Sequence, residues 1–157
     1  VEYLGRELEE LVKNGVRITF LGSMKGLSDA VVTAMEKAGN STEMNSKTVL
    51  NLAFNYGGRQ SIAQAAKKLA VLVGEGKLDP NAIDETLFAQ TLNINSLPDP
   101  DVVIRTSGEY RLSNFLPYET AYSELIFTNT YWPDFDERCY LRTLAEYQKR
   151  DRRFGGL

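Results

Sequence analysis

The segment Arg105-Thr106-Ser107-Gly108-Glu109-Tyr110-Arg111-Leu112-Ser113-Asn114 gathers two guanidiniums, several hydroxyls and one carboxylate into a short stretch. A guanidinium matches the two-oxygen geometry of a phosphate, serine adds a neutral donor, and glycine lets a ligand approach the backbone closely. A diphosphate is a natural occupant. Taken alone, an R-x5-R loop is read more readily as a solvated turn in which Arg105 and Arg111 pair with Glu109, because surface ion pairs are common. Three other clusters carry less chemistry. Lys149-Arg150-Asp151-Arg152-Arg153-Phe154-Gly155-Gly156 fits a basic helix end favoured by the macrodipole. Asn55-Tyr56-Gly57-Gly58-Arg59 is neither a Walker loop nor a dinucleotide G-x-G-x-x-G, and by itself implies only a tight strand-to-helix turn. Asp134-Phe135-Asp136-Glu137 suits N-capping and first-turn acids better than a metal cluster.

The elements that must position these residues follow from periodicity. Leu4, Leu8, Leu11 and Val12 share one helical face in Val1 to Asn14, with no N-cap or initiating methionine before them, so the chain is expected to start inside a helix. Asn14-Gly15 closes that helix and Val16 to Gly22 reads as a strand. A helix from Leu27 to Ala38, an irregular stretch from Gly39 to Ser46 and a strand from Lys47 to Phe54 come next. Helices are expected at about 60–73 and 83–90, strands at 102–105 and around 125–128, and a last helix at about 139–150. Alternating strands and helices, with near-continuous apolar strands, predict an α/β fold with a mainly parallel sheet covered by helices on both faces. Ligands bind beyond the carboxyl ends of such strands, which points to Asn55–Arg59 and Arg105–Ser113.

Bulk properties narrow the chemistry. The chain has 157 residues, 43% apolar and 25% charged, which suits a single domain over 1–157. It has no histidine and one cysteine, Cys139, so histidine triads, the usual zinc sites and an internal disulfide are excluded. A net charge of −3 argues against broad nucleic-acid binding and for a small anion site built from local arginines. No stretch approaches the roughly 20 apolar residues of a membrane span, and no signal-peptide pattern is seen, so a soluble, cytoplasmic protein is expected.

Four blocks then carry a resemblance. Val49 to Arg59, Asp101 to Phe115, Ala121-Tyr122-Ser123-Glu124 through Phe127-Thr128 and Trp132-Pro133-Asp134-Phe135, and finally Arg152 to Gly156 resemble, in order, the signature blocks of the cis-prenyltransferases, in particular the bacterial undecaprenyl diphosphate synthases. The resemblance implies a homodimeric, magnesium-dependent transferase. It would condense isopentenyl diphosphate with farnesyl diphosphate in cis, giving the polyprenyl diphosphate used as a cell-wall lipid carrier and working at the membrane periphery. By the same resemblance, Arg105, Arg111 and Ser113 hold the diphosphate of isopentenyl diphosphate, Glu109 orders their loop, and Glu124 helps organise Mg2+. Arg153 and Gly155 match a terminal R-x-G that reaches the partner subunit's site.

Tyr110 stands where some members have histidine, and Pro117-Tyr118-Glu119 replaces a more usual aromatic-glutamine pattern. The family's opening aspartate-glycine-asparagine-glycine-arginine-tryptophan motif is absent from this sequence, so the chain alone is expected to be inactive. Two alternatives remain. A non-catalytic accessory subunit of a heteromeric prenyltransferase would keep the fold, and a generic phosphate-binding α/β module would explain the arginines but not the four ordered blocks.

Overall fold

The computed structural model describes residues 2–92 and 97–150, with side chains from Arg6 onward. It divides into two units, Val1–Leu97 and Pro98–Leu157. The calls on Leu4, Arg153 and Gly155 fall outside the described side chains.

The first unit runs α1 (Glu2–Lys13), β1 (Val16–Gly22), α2 (Asp29–Thr42), β2 (Thr48–Phe54), α3 (Gly58–Gly74), a 3-10 turn at Pro80–Ala82 and α4 (Glu85–Leu92). Gly15 ends α1 as expected: its φ of +74° is open to glycine at little cost, and its N–H reaches the Val12 carbonyl at 3.1 Å. β1 and β2 pair in parallel from Val16↔Thr48 to Gly22↔Phe54. At the carboxyl end of the pair, Gly22 has φ +110°, and a Cβ there would fall on the Phe54 carbonyl. Only glycine fits.

Burial concentrates on β1. Ile18 is 2% exposed and Ala38 fully buried, with Leu8 of α1 completing a cluster that Leu11, Phe20 and Leu52 extend. Met35, Ala65, Leu69 and Leu92 are the other buried apolar side chains among the described residues of this unit. Val49, Leu50 and Phe54 of β2, by contrast, each stay more than a third exposed.

α2 continues to Thr42, past the expected stop at Ala38, and the reason is a buried hydroxyl. Thr42 is 0% exposed; its Oγ1 accepts from the Ile18 N–H at 2.9 Å and donates to the Ala38 carbonyl at 2.8 Å. One side chain thus supplies a β1 N–H with an acceptor and fixes the last turn of α2 against the strand. Polar Gly39-Asn40-Ser41 had concealed this continuation.

The second unit contains β3 (Val102–Arg105), β4 (Glu124–Phe127), a 3-10 turn at Trp132–Asp134 and α5 (Glu137–Tyr147). β3 and β4 pair in parallel from Val102↔Glu124 to Arg105↔Phe127, and Ile126, 2% exposed, lies at their buried centre. α5 begins two residues before the expected start because Asp136 caps it, accepting from the Cys139 N–H at 2.9 Å. The N-capping reading of Asp134–Glu137 is borne out at Asp136. Both strand pairs are parallel, as the apolar patterning predicted. No helix among the described residues is long and apolar enough to cross a membrane.

The Thr42 hydroxyl gives a direct test. Thr42→Val keeps the volume but leaves the buried Ile18 N–H without its acceptor, a loss of about 1–3 kcal/mol. Thr42→Ser retains the oxygen and should lose clearly less. Denaturant unfolding of both variants checks this, and equal losses would mean that packing rather than the hydrogen bond matters.

Candidate functional site

Arg105 is the last residue of β3, and its carbonyl accepts from the Thr128 N–H at 2.9 Å. The pairing does not stop there. Ser107 N–H reaches the Thr130 carbonyl at 2.8 Å and Gly108 N–H the Thr128 carbonyl at 2.9 Å, so the start of the loop is bound to the segment leaving β4. Ser107 and Gly108 both take left-handed conformations, φ +69° and +67°, which turn the chain back over the strand ends. A Cβ on Gly108 would lie 3.1 Å from Asn129 Oδ1. Tyr110 packs its ring on Phe127, with centroids 5.2 Å apart, and its hydroxyl lies 3.4 Å from Asn129 Oδ1. The ring thereby anchors the middle of the loop to β4.

Arg105 is half-buried, whereas Arg111 and Ser113 are exposed. Arg111 is ion-paired with Glu109. That contact is the one the plain surface reading of the loop expects, and at these exposures it is worth at most about 1 kcal/mol, so an incoming anion could displace Glu109. Ser113, Asn114 and Leu116 again have positive φ, +50°, +65° and +48°, and they bend the chain away from the loop. Arg105, Glu109, Arg111 and Ser113 therefore share a single loop of the second unit.

Glu124 does not join them. It opens β4 opposite Val102, three residues back from the Phe127 that faces Arg105, or about 10 Å along the strand. Its Oε2 accepts from Arg150 Nη1 at 2.9 Å. Arg150 also donates from Nη1 to the Leu125 carbonyl at 2.9 Å and from Nη2 to Glu146 Oε1 at 2.6 Å. These acceptors, Glu124 before Glu146, push the Arg150 pKa further up. In the sequence alone, Arg150 is one residue of a basic helix end. The i,i+4 spacing of Glu146 and Arg150 could have revealed half of this arrangement, but the half on β4 is not local in sequence.

A magnesium site needs several oxygen ligands, among them one or two carboxylates that are not already neutralised. Among the described residues no group of three His, Cys, Asp or Glu side chains converges, and Glu124 faces a guanidinium. The described residues do not by themselves fit the metal.

In the first unit, the turn after β2 borders a cavity of about 220 Å³ lined by Gly22, Ser23, Asn55, Gly57, Ser61 and Lys68 among others. Asn55, with φ +48°, donates from Nδ2 to the Lys25 carbonyl at 3.2 Å, joining the loops that follow β1 and β2. This is the strand-end turn expected at Asn55–Arg59.

Comparison with known proteins gives these loops a family. Residues 1–155 match the Prenyltransf family model of undecaprenyl diphosphate synthases. The chain belongs to this family, the cis-prenyltransferases. It is 48% identical over 161 residues to an isoprenyl transferase of Streptococcus thermophilus (strain CNRZ 1066), covering 100% of this chain and 65% of that relative. Against the isoprenyl transferase of Bacillus subtilis (strain 168), identity is also 48%, over 156 residues, covering 99% and 60%. The chain thus spans less than two thirds of the length of these relatives. The crystal structure of lavandulyl diphosphate synthase from Lavandula x intermedia, in complex with dimethylallyl diphosphate, matches with a TM-score of 0.94 at 37% identity, covering 99% of this chain and 67% of that one. That of a probable undecaprenyl diphosphate synthase from Campylobacter jejuni matches with a TM-score of 0.84 at 32% identity, covering 99% and 70%. The expected α/β fold is that of the family.

One residue close to the loop departs from the pattern with a physical consequence. Glu119 is 6% exposed and its Oε2 has no hydrogen-bond partner. Burial raises its pKa above the ordinary glutamate value; backbone hydrogen bonding pulls it back, and the charge of Asp99 raises it again. Because the folded pKa lies above the unfolded one, the folded state binds the proton more tightly. Stability contributed by this group is present at acid pH and lost as pH rises through the folded value. Glu119→Gln should therefore stabilise the protein by about 1 kcal/mol at neutral pH, and the gain should fade on acidification. Thermal unfolding of parent and variant across pH checks it, and a gain independent of pH would rule out the charge as its source.

Proposed function

We propose that the full-length protein is a cis-prenyltransferase that joins isopentenyl diphosphate to an allylic diphosphate such as farnesyl diphosphate, producing an undecaprenyl-type polyprenyl diphosphate for cell-wall lipid carrier synthesis. The observation that carries this reading is the loop Arg105–Ser113: two arginines and a serine on one turn, bound at its start to the end of β4, in a chain of this family. The neighbour crystallised with dimethylallyl diphosphate adds support for diphosphate chemistry.

In the reaction, the alkene of isopentenyl diphosphate supplies the electron pair for a new carbon–carbon bond to C1 of the allylic substrate. The C1–oxygen bond breaks, diphosphate leaves with its electrons, and a proton is lost from the condensed product. Arg105, Arg111 and Ser113 would hold the isopentenyl diphosphate through its own diphosphate, which is retained and becomes the head group for the next cycle. Their work is positioning: keeping the alkene in line with C1 makes the step effectively unimolecular. Glu109 would release Arg111 when the ligand arrives. Dependence on Mg2+, a homodimer in which Arg153 and Gly155 serve the partner's site, a cytoplasmic location and peripheral membrane contact through the lipid product belong to the same proposal. The described residues do not by themselves assemble the metal site.

Each arginine should make charge-assisted hydrogen bonds to the ligand, and truncating such a donor costs about 2–4 kcal/mol. In the full-length enzyme, Arg105→Ala and Arg111→Ala should each weaken isopentenyl diphosphate binding by about 30- to 700-fold in a direct titration. Binding as tight as the parent's would show that the pocket is misassigned. If the parent binds the ligand but makes no prenyl-transfer product with farnesyl diphosphate and magnesium, the accessory-subunit reading replaces the enzymatic one.

A further inference from the structure

α3 carries a stripe whose two halves differ in character. Gln60, Gln64, Lys68 and Leu72 recur every fourth residue, and Lys67 and Val71 lie between them, so all share one side of the helix. The first half closes the cavity of about 220 Å³ at the carboxyl ends of β1 and β2, the place where α/β sheets bind ligands. The second half floors an apolar groove of about 550 Å³, made by Val71, Leu72 and the stems of Gln64, Lys67 and Lys68. Gln64 and Lys68 line both spaces, so the cavity and the groove adjoin. Val71 is 47% and Leu72 38% exposed. A single exposed aliphatic side chain needs no explanation, but two that border one groove leading out of a polar cavity mark a surface with a use. From Gln64 to Leu72 the helix rises about 12 Å, enough for one apolar chain to lie along it.

Charge narrows the occupant. The chain has 21 carboxylates and a net charge of −3, yet none of them lines either space. No ion pair among the described residues engages Lys67 or Lys68. The cavity thus selects an anion, with the Lys68 ammonium as its charge. Polar groups reach it from three sides: Ser23 after β1, Asn55 after β2, and Gln60 and Ser61 on α3. That arrangement suits a head with three or more oxygens better than the two of a carboxylate. We propose that the cavity and groove form one binding site for a single-chain amphiphile with a phosphate head, the head beside Lys68 and Gln64 and the chain along Val71 and Leu72. Because the head sits in a concavity, the ligand enters as a free molecule and not as part of a bilayer surface. Every residue of the site belongs to the first unit and none to the Arg105–Ser113 loop, so the inference does not rest on the transferase reading.

The experiment is a titration of the full-length protein with decyl phosphate, kept below the concentration at which it forms micelles and read from the methyl NMR signals of Val71 and Leu72. These signals report the groove wherever else the probe binds, and they should shift saturably. Inorganic phosphate, the head alone, and decanol, the chain alone, should each bind at least about tenfold more weakly, since each keeps only part of the contacts. Lys68→Gln keeps a good helix former at an exposed position and removes the charge-assisted contact, so it should weaken decyl phosphate about tenfold. Lys77→Gln, which removes an equal charge outside the stripe, should change nothing. Thermal unfolding confirms the fold of each variant, and Lys68→Met replaces Lys68→Gln if the latter does not fold. Unshifted methyl signals, decanol binding as tightly as decyl phosphate, or a Lys68 variant that binds like the parent overturns the inference. A larger response of the same signals to phosphatidic acid vesicles than to decyl phosphate overturns it as well, because the face would then be a bilayer contact.

Discussion

The parallel pairing of β3 with β4 is the contact on which the order of the Arg105–Ser113 loop depends. β3 has only four residues, and it delivers Arg105 at its end because Val102 is in register with Glu124. The same ladder then continues beyond the strands through Ser107 and Gly108 to Thr130 and Thr128. A one-residue slip would send every side chain of the pair to the opposite face and turn Arg105 away from its loop. Ile126, almost wholly buried, marks the face of β4 that this register turns inward. Register, burial and the aim of the arginines are one constraint seen at three scales.

The first unit solves a similar problem with a different device. β1 pairs with β2 on one side, and one of its N–H groups is met by the Thr42 hydroxyl of α2. A side chain thereby takes over a task usually given to another strand, and the helix is locked to the sheet by a polar contact inside an apolar cluster. At the carboxyl end, Gly22 lets the backbone pass so close to Phe54 that the turns after β1 and β2 become neighbours, and Asn55 joins them through Lys25.

Much of this was legible in the sequence because it depends on local pattern. β-branched runs located the strands, Gly15 marked the end of α1, and Asp136 marked the start of α5. The grouping of Arg105, Glu109, Arg111 and Ser113 was readable for a simpler reason: they lie close together in the chain, between positions 105 and 113, and any turn keeps them near one another. What escaped depends on contacts between distant residues. Nothing near Gly39 announces that Thr42 will bond to a strand residue 24 positions earlier, and nothing near Arg150 announces Glu124, 26 positions earlier. Glu124 shows the limit most clearly. Its assignment came from the resemblance to the family and from no local pattern, and a parallel strand carries it, as the first residue of β4, to the end opposite the loop.

The left-handed residues of the loop have a consequence for its behaviour over time. Ser113, Asn114 and Leu116 all have positive φ within four residues, and each non-glycine residue in that region costs about 1 kcal/mol relative to an ordinary conformation. The neighbouring strands hold the beginning of the loop, yet its later part is exposed and lacks a ladder of its own. Such a segment is a spring clipped at its two ends, by the ladder before it and by the buried Glu119 and Thr120 after it. It belongs to the part of the molecule that opens first, on a free-energy scale well below that of global unfolding. Amides near Ser113 should consequently trade their protons with water through brief local excursions, while those of β3 and β4 wait for rarer events.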